Sequence, residues 1–182
     1  MNTANKITIL RVILVPVFMV LMLINNDVCR MAALAVFVIA SISDWLDGYI
    51  ARNYNQVSNF GKFMDPLADK VLTTAAFLAL MEIGRLWFGS VAIMLILTRE
   101  FMVAGLRMNA GASGTVIAAS MFGKVKTVVQ MIAIIVSILL TNSIFPAQMS
   151  YIVTNVVVWV STIITVISGI DYLWKNKDAF LK

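Results

Sequence analysis

Histidine is absent from this chain and cysteine occurs once, at Cys29. Without histidine, a general base has to be a carboxylate or a lysine. A single thiol excludes an internal disulfide and any multi-cysteine metal site, so Cys29 reads as an inert small residue near the outer end of a second helix. Charge is scarce as well: 13% of the 182 residues are charged, and only nine are acidic. No stretch is long enough to serve as a linker between domains, and neither an internal repeat nor a low-complexity segment is present. Residues 1–182 are therefore expected to form a single domain.

What fills the chain instead is apolar. Hydrophobic residues make up 61% of it and the mean hydropathy is +0.94, far beyond a soluble domain of this size. Crossing about 30 Å of hydrocarbon takes about 20 residues, and six such runs can be drawn, at roughly 7–26, 31–52, 62–83, 87–109, 116–141 and 148–174. The expectation is an all-α integral membrane protein, six transmembrane helices in one bundle. With the first end inside, Arg30 and Arg85 alone of the fourteen basic residues fall at outer ends. That asymmetry puts both termini in the cytoplasm. Lys6 and Arg11 precede the first apolar run, but no small-residue cleavage site follows it, so a retained helix is expected rather than a signal peptide. Asn2 to Lys6 read as a short interfacial lead-in to it.

The few acidic residues are unevenly placed. Four of the nine, Asp44, Asp47, Asp65 and Asp69, lie in DWLDGYIARNYNQVSNFGKFMDPLADK. The first pair is spaced i,i+3 and the second i,i+4, so on helices each pair shares a face. Two such faces opposed make a cage of four carboxylates. Hard divalent cations such as Mg²⁺ or Mn²⁺ prefer all-oxygen ligands, and the carboxylates would repel one another without a counterion. Gly48 and Ala51 share the first face and leave room for a bulky ligand. Arg52, two turns past Asp44, is suited to bidentate contact with a diphosphate. Gly61 is expected to open the next helix, with Pro66 in its first turn.

The pattern D-x2-D-G-x2-A-R-x8-G-x3-D-x3-D resembles the signature of the CDP-alcohol phosphotransferases at all eight fixed positions. The resemblance implies two Mg²⁺ or Mn²⁺ ions held by the four aspartates, Asp69 as the catalytic base, and a homodimer in the bacterial cytoplasmic (inner) membrane with its active site at the cytoplasmic face. It also places a hydroxyl near CDP at Ser58, which on sequence alone reads as turn chemistry.

Three other stretches carry charge or polarity at helical spacing. In NKITILRVILVP, Asn5, Thr8 and Arg11 recur on one face, as interfacial anchors or as lining of the nucleotide pocket. In TREFMVAGLR, Arg99 and Arg107 are two turns apart, and FGKVKT supplies Lys124 and Lys126. Positive-inside anchoring accounts for such cations, but Arg99 lies well inside an apolar run, where an unpaired charge is expensive. The other reading is an anion pocket for a phosphorylated acceptor alcohol. Glu100 is available to pair with a neighbouring cation, although adjacent helical positions do not face each other.

These stretches resemble the bacterial branch of the family that uses glycerol 3-phosphate. The implied reaction joins CDP-diacylglycerol to sn-glycerol 3-phosphate, giving phosphatidylglycerophosphate and CMP. Inositol phosphate or serine as acceptor is the alternative within the family. A membrane prenyltransferase is a rival that leaves the DG-x2-AR-x8-G core unexplained, and a divalent-cation transporter is one that would place its carboxylates near the bilayer midplane, whereas here they cluster toward one face. The partners expected are these two substrates and the lipid bilayer, with no nucleic acid. The last helix is expected to be scaffold. Trp87, Trp159, Tyr172 and Trp174 are expected near helix ends, and Gly105, Ala118, Ala119, Ser161 and Gly169 at close helix contacts.

Overall fold

The computed structural model describes residues 3–53, 59–112 and 121–177. Along them run six α-helices: α1 (Thr3–Leu23), α2 (Asp27–Asn53), α3 (Asn59–Glu82), α4 (Gly89–Ala112), α5 (Met121–Leu139) and α6 (Ala147–Lys175). Local chemistry sets the reversals. Asn26 accepts the Val28 amide at 2.8 Å through Oδ1, capping α2, and Asp27 follows in its first turn, where a carboxylate suits the helix dipole. At the end of α3, Gly84 takes φ +71°, its amide bonds the Met81 carbonyl at 3.0 Å and the Arg85 amide bonds the Leu80 carbonyl at 3.0 Å. This pair of bonds is the Schellman closure, which needs a left-handed residue where glycine stands.

The surface explains why the chain needs so much apolar sequence. On α6 the exposed residues Ile152, Val156, Val160, Ile163, Ile167 and Ile170 recur every three or four positions. The opposite face is buried and largely polar, with Thr154, Ser161, Thr165 and Ser168 among its members. Apolar outside and small or polar inside is the arrangement of a helix solvated by lipid. Among the described residues, three helices are long and apolar enough to cross a membrane, over Gly89–Gly111, Met121–Leu139 and Ala147–Lys175. A shorter apolar stretch covers Ile7–Leu23.

The helices pack around a core that includes Phe18, Phe37, Phe77, Leu80, Ile134, Ile138 and Val158. Helix α1 packs on α2 and α3, α5 on α6, and α4 on α6 and α3. At one end of the bundle polar side chains tie the connections together. Arg30 Nη1 donates to the Thr141 carbonyl at 3.2 Å, and Arg85 Nη2 reaches the same oxygen at 3.5 Å. Asp27 accepts the Ser143 amide at 3.2 Å and also its hydroxyl. Asn155 accepts the Trp87 amide at 2.6 Å and donates to the Arg85 carbonyl at 3.1 Å.

Several boundaries differ from the sequence expectation. Helix α1 is continuous from Thr3, without a separate lead-in, and stops at Leu23 because Asn26 serves as the cap of α2. Helix α3 begins at Asn59, so Gly61 does not open it and Pro66 lies beyond its first turn. A lone glycine costs a helix only about 1 kcal/mol, too little to stop it among Phe60, Lys62, Phe63 and Met64. Trp87 and Trp174 are exposed, as a belt requires, but Trp159 lies mid-helix with its Nε1 donating to the Trp87 carbonyl at 3.1 Å. Tyr172 is buried. Gly105 is exposed with open space beside it, whereas Ser161 and Gly169 do sit at buried helix contacts. Ala118 and Ala119 lie outside the described residues.

Candidate active site

Two helices carry the carboxylate signature. Asp44, Asp47, Gly48, Ala51 and Arg52 belong to the second half of α2, and Gly61, Asp65 and Asp69 to the first half of α3. Helical backbone runs unbroken through each motif, so i,i+3 and i,i+4 spacings place each aspartate pair on one helical face. Helices α2 and α3 pack against each other. The side chains of these eight residues and of Asn5 lie outside the described residues, as does Ser58 altogether. The donor set, carboxylate oxygen throughout with neither thiolate nor imidazole, fits a hard divalent cation.

Immediately after Asp69 the site comes into side-chain view. Lys70 Nζ is 3.3 Å from Glu100 Oε2, bridging α3 to α4. Glu100 is itself buried, and its other oxygen receives Lys126 of α5 and, at 3.4 Å, Nη1 of the adjacent Arg99. Three cations from three helices thus converge on one buried carboxylate. Adjacent helical positions do not face each other, yet Arg99 and Glu100 meet because both side chains are long and both are buried in the bundle. A buried ion pair holds only when its remaining donors and acceptors are also met, and an excess of cations in such a place favours an anion.

Helix α6 completes the wall. Arg99 Nη2 donates to Ser168 Oγ at 2.8 Å. One residue on, Gly169 leaves the space that Arg99 fills: a Cβ there would lie 2.8 Å from Arg99 Cγ. Arg107, two turns beyond Arg99 on α4, stacks over the Tyr172 ring with Cζ 5.4 Å from its centroid. Nearby, Gln130 of α5 donates to Thr165 Oγ1 at 2.9 Å and ties α5 to α6. Thr8 and Arg11 of α1 are each 1% exposed.

Of the four cations expected at an acceptor phosphate, Arg99 and Lys126 share Glu100, and Arg107 lies within electrostatic reach of Arg99. Lys124, two residues from Lys126 and so on another face of α5, is exposed. Two features escaped the sequence reading. Glu100 is the hub of the cluster, and the signal was a carboxylate in the middle of an apolar run. The other is the contact of the last helix with Arg99 and Arg107, and its signal was the spacing of Ser161, Thr165, Ser168 and Tyr172, which marks one helical face.

Comparison with known proteins adds an independent observation. A family model described as CDP-alcohol phosphatidyltransferase matches residues 1–167. A Bacillus subtilis (strain 168) protein named CDP-diacylglycerol--glycerol-3-phosphate 3-phosphatidyltransferase is 41% identical, over 98% of this chain and 96% of its own length. A protein of the same name from Rickettsia typhi is 36% identical over 98% of this chain and 99% of its own. A probable phosphatidylglycerophosphate synthase from Mycobacterium tuberculosis is 41% identical over 94% of this chain and 80% of its own.

Proposed function

The chain belongs to the CDP-alcohol phosphatidyltransferase family, and from that premise we propose that it transfers the phosphatidyl group of CDP-diacylglycerol to sn-glycerol 3-phosphate, releasing CMP. One observation carries the choice of acceptor. Lys70, next in sequence to the last aspartate of the signature, is bonded to Glu100, and Glu100 gathers Arg99 and Lys126. A buried cationic cluster therefore adjoins the carboxylate motif. Serine and inositol bring no phosphate to such a cluster, whereas glycerol 3-phosphate brings a dianion.

Asp44, Asp47, Asp65 and Asp69 would hold two divalent ions. When bound, these ions supply charge neutralisation for the diphosphate and for the CMP leaving group. Asp69 takes the proton from the acceptor hydroxyl as its oxygen attacks the β-phosphorus. Arg52 binds diphosphate oxygens, Gly48, Ala51 and Gly61 let the nucleotide approach the backbone, and Ser58 together with Asn5, Thr8 and Arg11 lines the nucleotide side. Arg99, Arg107 and Lys126 receive the acceptor phosphate, and Lys124, exposed on another face of α5, does not.

All six helices cross the bilayer, with both termini and the site at the cytoplasmic face. This placement keeps the acyl tails in lipid while cytidine and glycerol phosphate arrive from water. The working unit is a homodimer, by family resemblance, and its mass in detergent checks that. The reaction itself is tested by CMP release from CDP-diacylglycerol with glycerol 3-phosphate, serine or inositol, before and after chelation of divalent ions. Release with glycerol 3-phosphate alone, lost on chelation and restored by Mg²⁺ or Mn²⁺, is the expected result. Release with serine or inositol at an equal rate refutes the acceptor, and no release with any of the three refutes the transferase reading.

A further inference from the structure

At the end of the bundle where α2 begins, Arg30 and Arg85 converge on one oxygen: Nη1 of Arg30 and Nη2 of Arg85 lie 3.2 and 3.5 Å from the Thr141 carbonyl. A carbonyl carries no net charge, so two like charges are held together with no counter-charge between them. Among the described residues neither arginine forms an ion pair. Asp27 is within electrostatic reach of Arg30, but its carboxylate accepts the Ser143 amide and hydroxyl. A guanidinium has five N–H donors. Arg30 spends one more on Asn25 Oδ1 at 3.0 Å, and the Arg85 side chain makes no other bond among the described residues. Arg30 Nε is buried without a partner, so part of this cation has already lost its water.

The surroundings face lipid. Val28, Trp87, Phe88 and Ile144, close in sequence to Arg30, Arg85 and Thr141, are 76%, 61%, 60% and 82% exposed. The Trp87 and Phe88 rings lie 5.1 Å apart, and Phe88 takes φ 49°, a conformation that a bulky residue keeps only when its neighbours hold it. Helix α6 does the holding. Asn155 accepts the Trp87 amide and donates to the Arg85 carbonyl, and Trp159 Nε1 donates to the Trp87 carbonyl. Arg85 is thereby fixed beside an exposed aromatic pair, the make-up of a membrane interface where headgroup phosphates lie.

We propose that Arg30 and Arg85 bind the phosphate of an anionic phospholipid, which clasps α2, the reversal between α3 and α4, and the connection between α5 and α6. A phosphodiester offers only acceptor oxygens, and two guanidinium forks can share them. Its negative charge relieves the repulsion between the arginines, whereas a zwitterionic headgroup brings an ammonium of its own. Val28, Trp87, Phe88 and Ile144 are the apolar surface for the rest of the lipid. The role is structural and independent of the acceptor taken at the other end.

Purified full-length protein in neutral detergent is offered phosphatidylglycerol and phosphatidylcholine, separately and mixed, and bound lipid is counted by native mass spectrometry. Wild type retains a phosphatidylglycerol that neither phosphatidylcholine nor a large excess of inorganic phosphate displaces. Arg85→Gln is the variant of choice because Arg85 gives the fold a single long bond. In it the apparent Kd for that lipid rises about tenfold or more, while CMP release stays within about twofold of wild type. Lipid held elsewhere, the carboxylate site included, is common to both proteins and cancels.

Equal retention by wild type and Arg85→Gln overturns the proposal. So does a wild type that keeps phosphatidylcholine as well as phosphatidylglycerol, because the site would then be indifferent to charge. Displacement by inorganic phosphate overturns it too, since the ligand would be an anion and not a lipid. A loss of CMP release of about tenfold in Arg85→Gln contradicts the structural role. Should Arg85→Gln not fold, Arg85→Lys decides: it keeps the charge, loses the fork and weakens retention about threefold, and an unchanged Kd there is fatal.

Discussion

The two ends of the bundle use charge in opposite ways. At the end of the short reversals, Asp27, Arg30 and Arg85 meet backbone amides, backbone carbonyls or a serine hydroxyl, so their charges close connections. At the other end Lys70, Arg99 and Lys126 crowd one buried carboxylate, and Arg107 rests on a tyrosine ring. Loops can be fastened with half-buried groups at modest cost. Burying a surplus of cations is expensive, and is explained when an anionic substrate completes the pairing. A polar residue of this chain therefore reads as structural or functional by what it is bonded to, not by its type.

The comparison can be broken at either end. The largest effect is expected at the signature: Asp69→Asn should lower CMP release by about 10² to 10⁴ while CDP-diacylglycerol still binds. A rate within tenfold of wild type would remove Asp69 as the base. Next comes the hub. Glu100→Ala leaves buried cations facing one another and should cost about 3–5 kcal/mol of stability, read from denaturation in detergent. A variant as stable as wild type would show that the carboxylate is not what holds the cluster.

Arg107→Ala should raise the KM for glycerol 3-phosphate roughly 10- to 150-fold with little change for CDP-diacylglycerol, the loss of one charge-assisted bond. The smallest effect belongs to the other end. The Ser143 hydroxyl, bonded to the Asp27 carboxylate, holds that carboxyl below its ordinary value of 3.8. A depressed carboxylate contributes its stability above the unfolded pKa and loses it as pH falls through the folded one. The latch is thus intact at neutral pH and opens only in strong acid. Asp27→Asn should lower Tm at pH 7 by no more than about 2 °C and leave CMP release unchanged. A large loss of activity there would erase the distinction between the ends.

Much of this was legible in the chain. Long apolar runs gave six helices to within a few residues, and the aspartate spacing named the family because that motif lies on two helices consecutive in sequence. What was not legible depended on neighbours distant in sequence. Pairing of Lys70, Arg99 and Lys126 with Glu100 joins residues from three helices, and no local pattern announces it. The contribution of Ser168 and Tyr172 was visible as a polar face on α6, but a polar face alone does not say which side chain it serves. Pro66 misled because proline is commonest in a first turn, whereas α3 begins earlier, at Asn59.

The most direct measurement is the ratio of kcat/KM for glycerol 3-phosphate to that for plain glycerol in the wild-type protein, with CDP-diacylglycerol as donor. If the buried cations exist to be paired by an acceptor phosphate, removing that phosphate leaves them unpaired, and the ratio should exceed about a hundredfold. A ratio within about tenfold would contradict the account, because the charged end would then have no ligand to explain it.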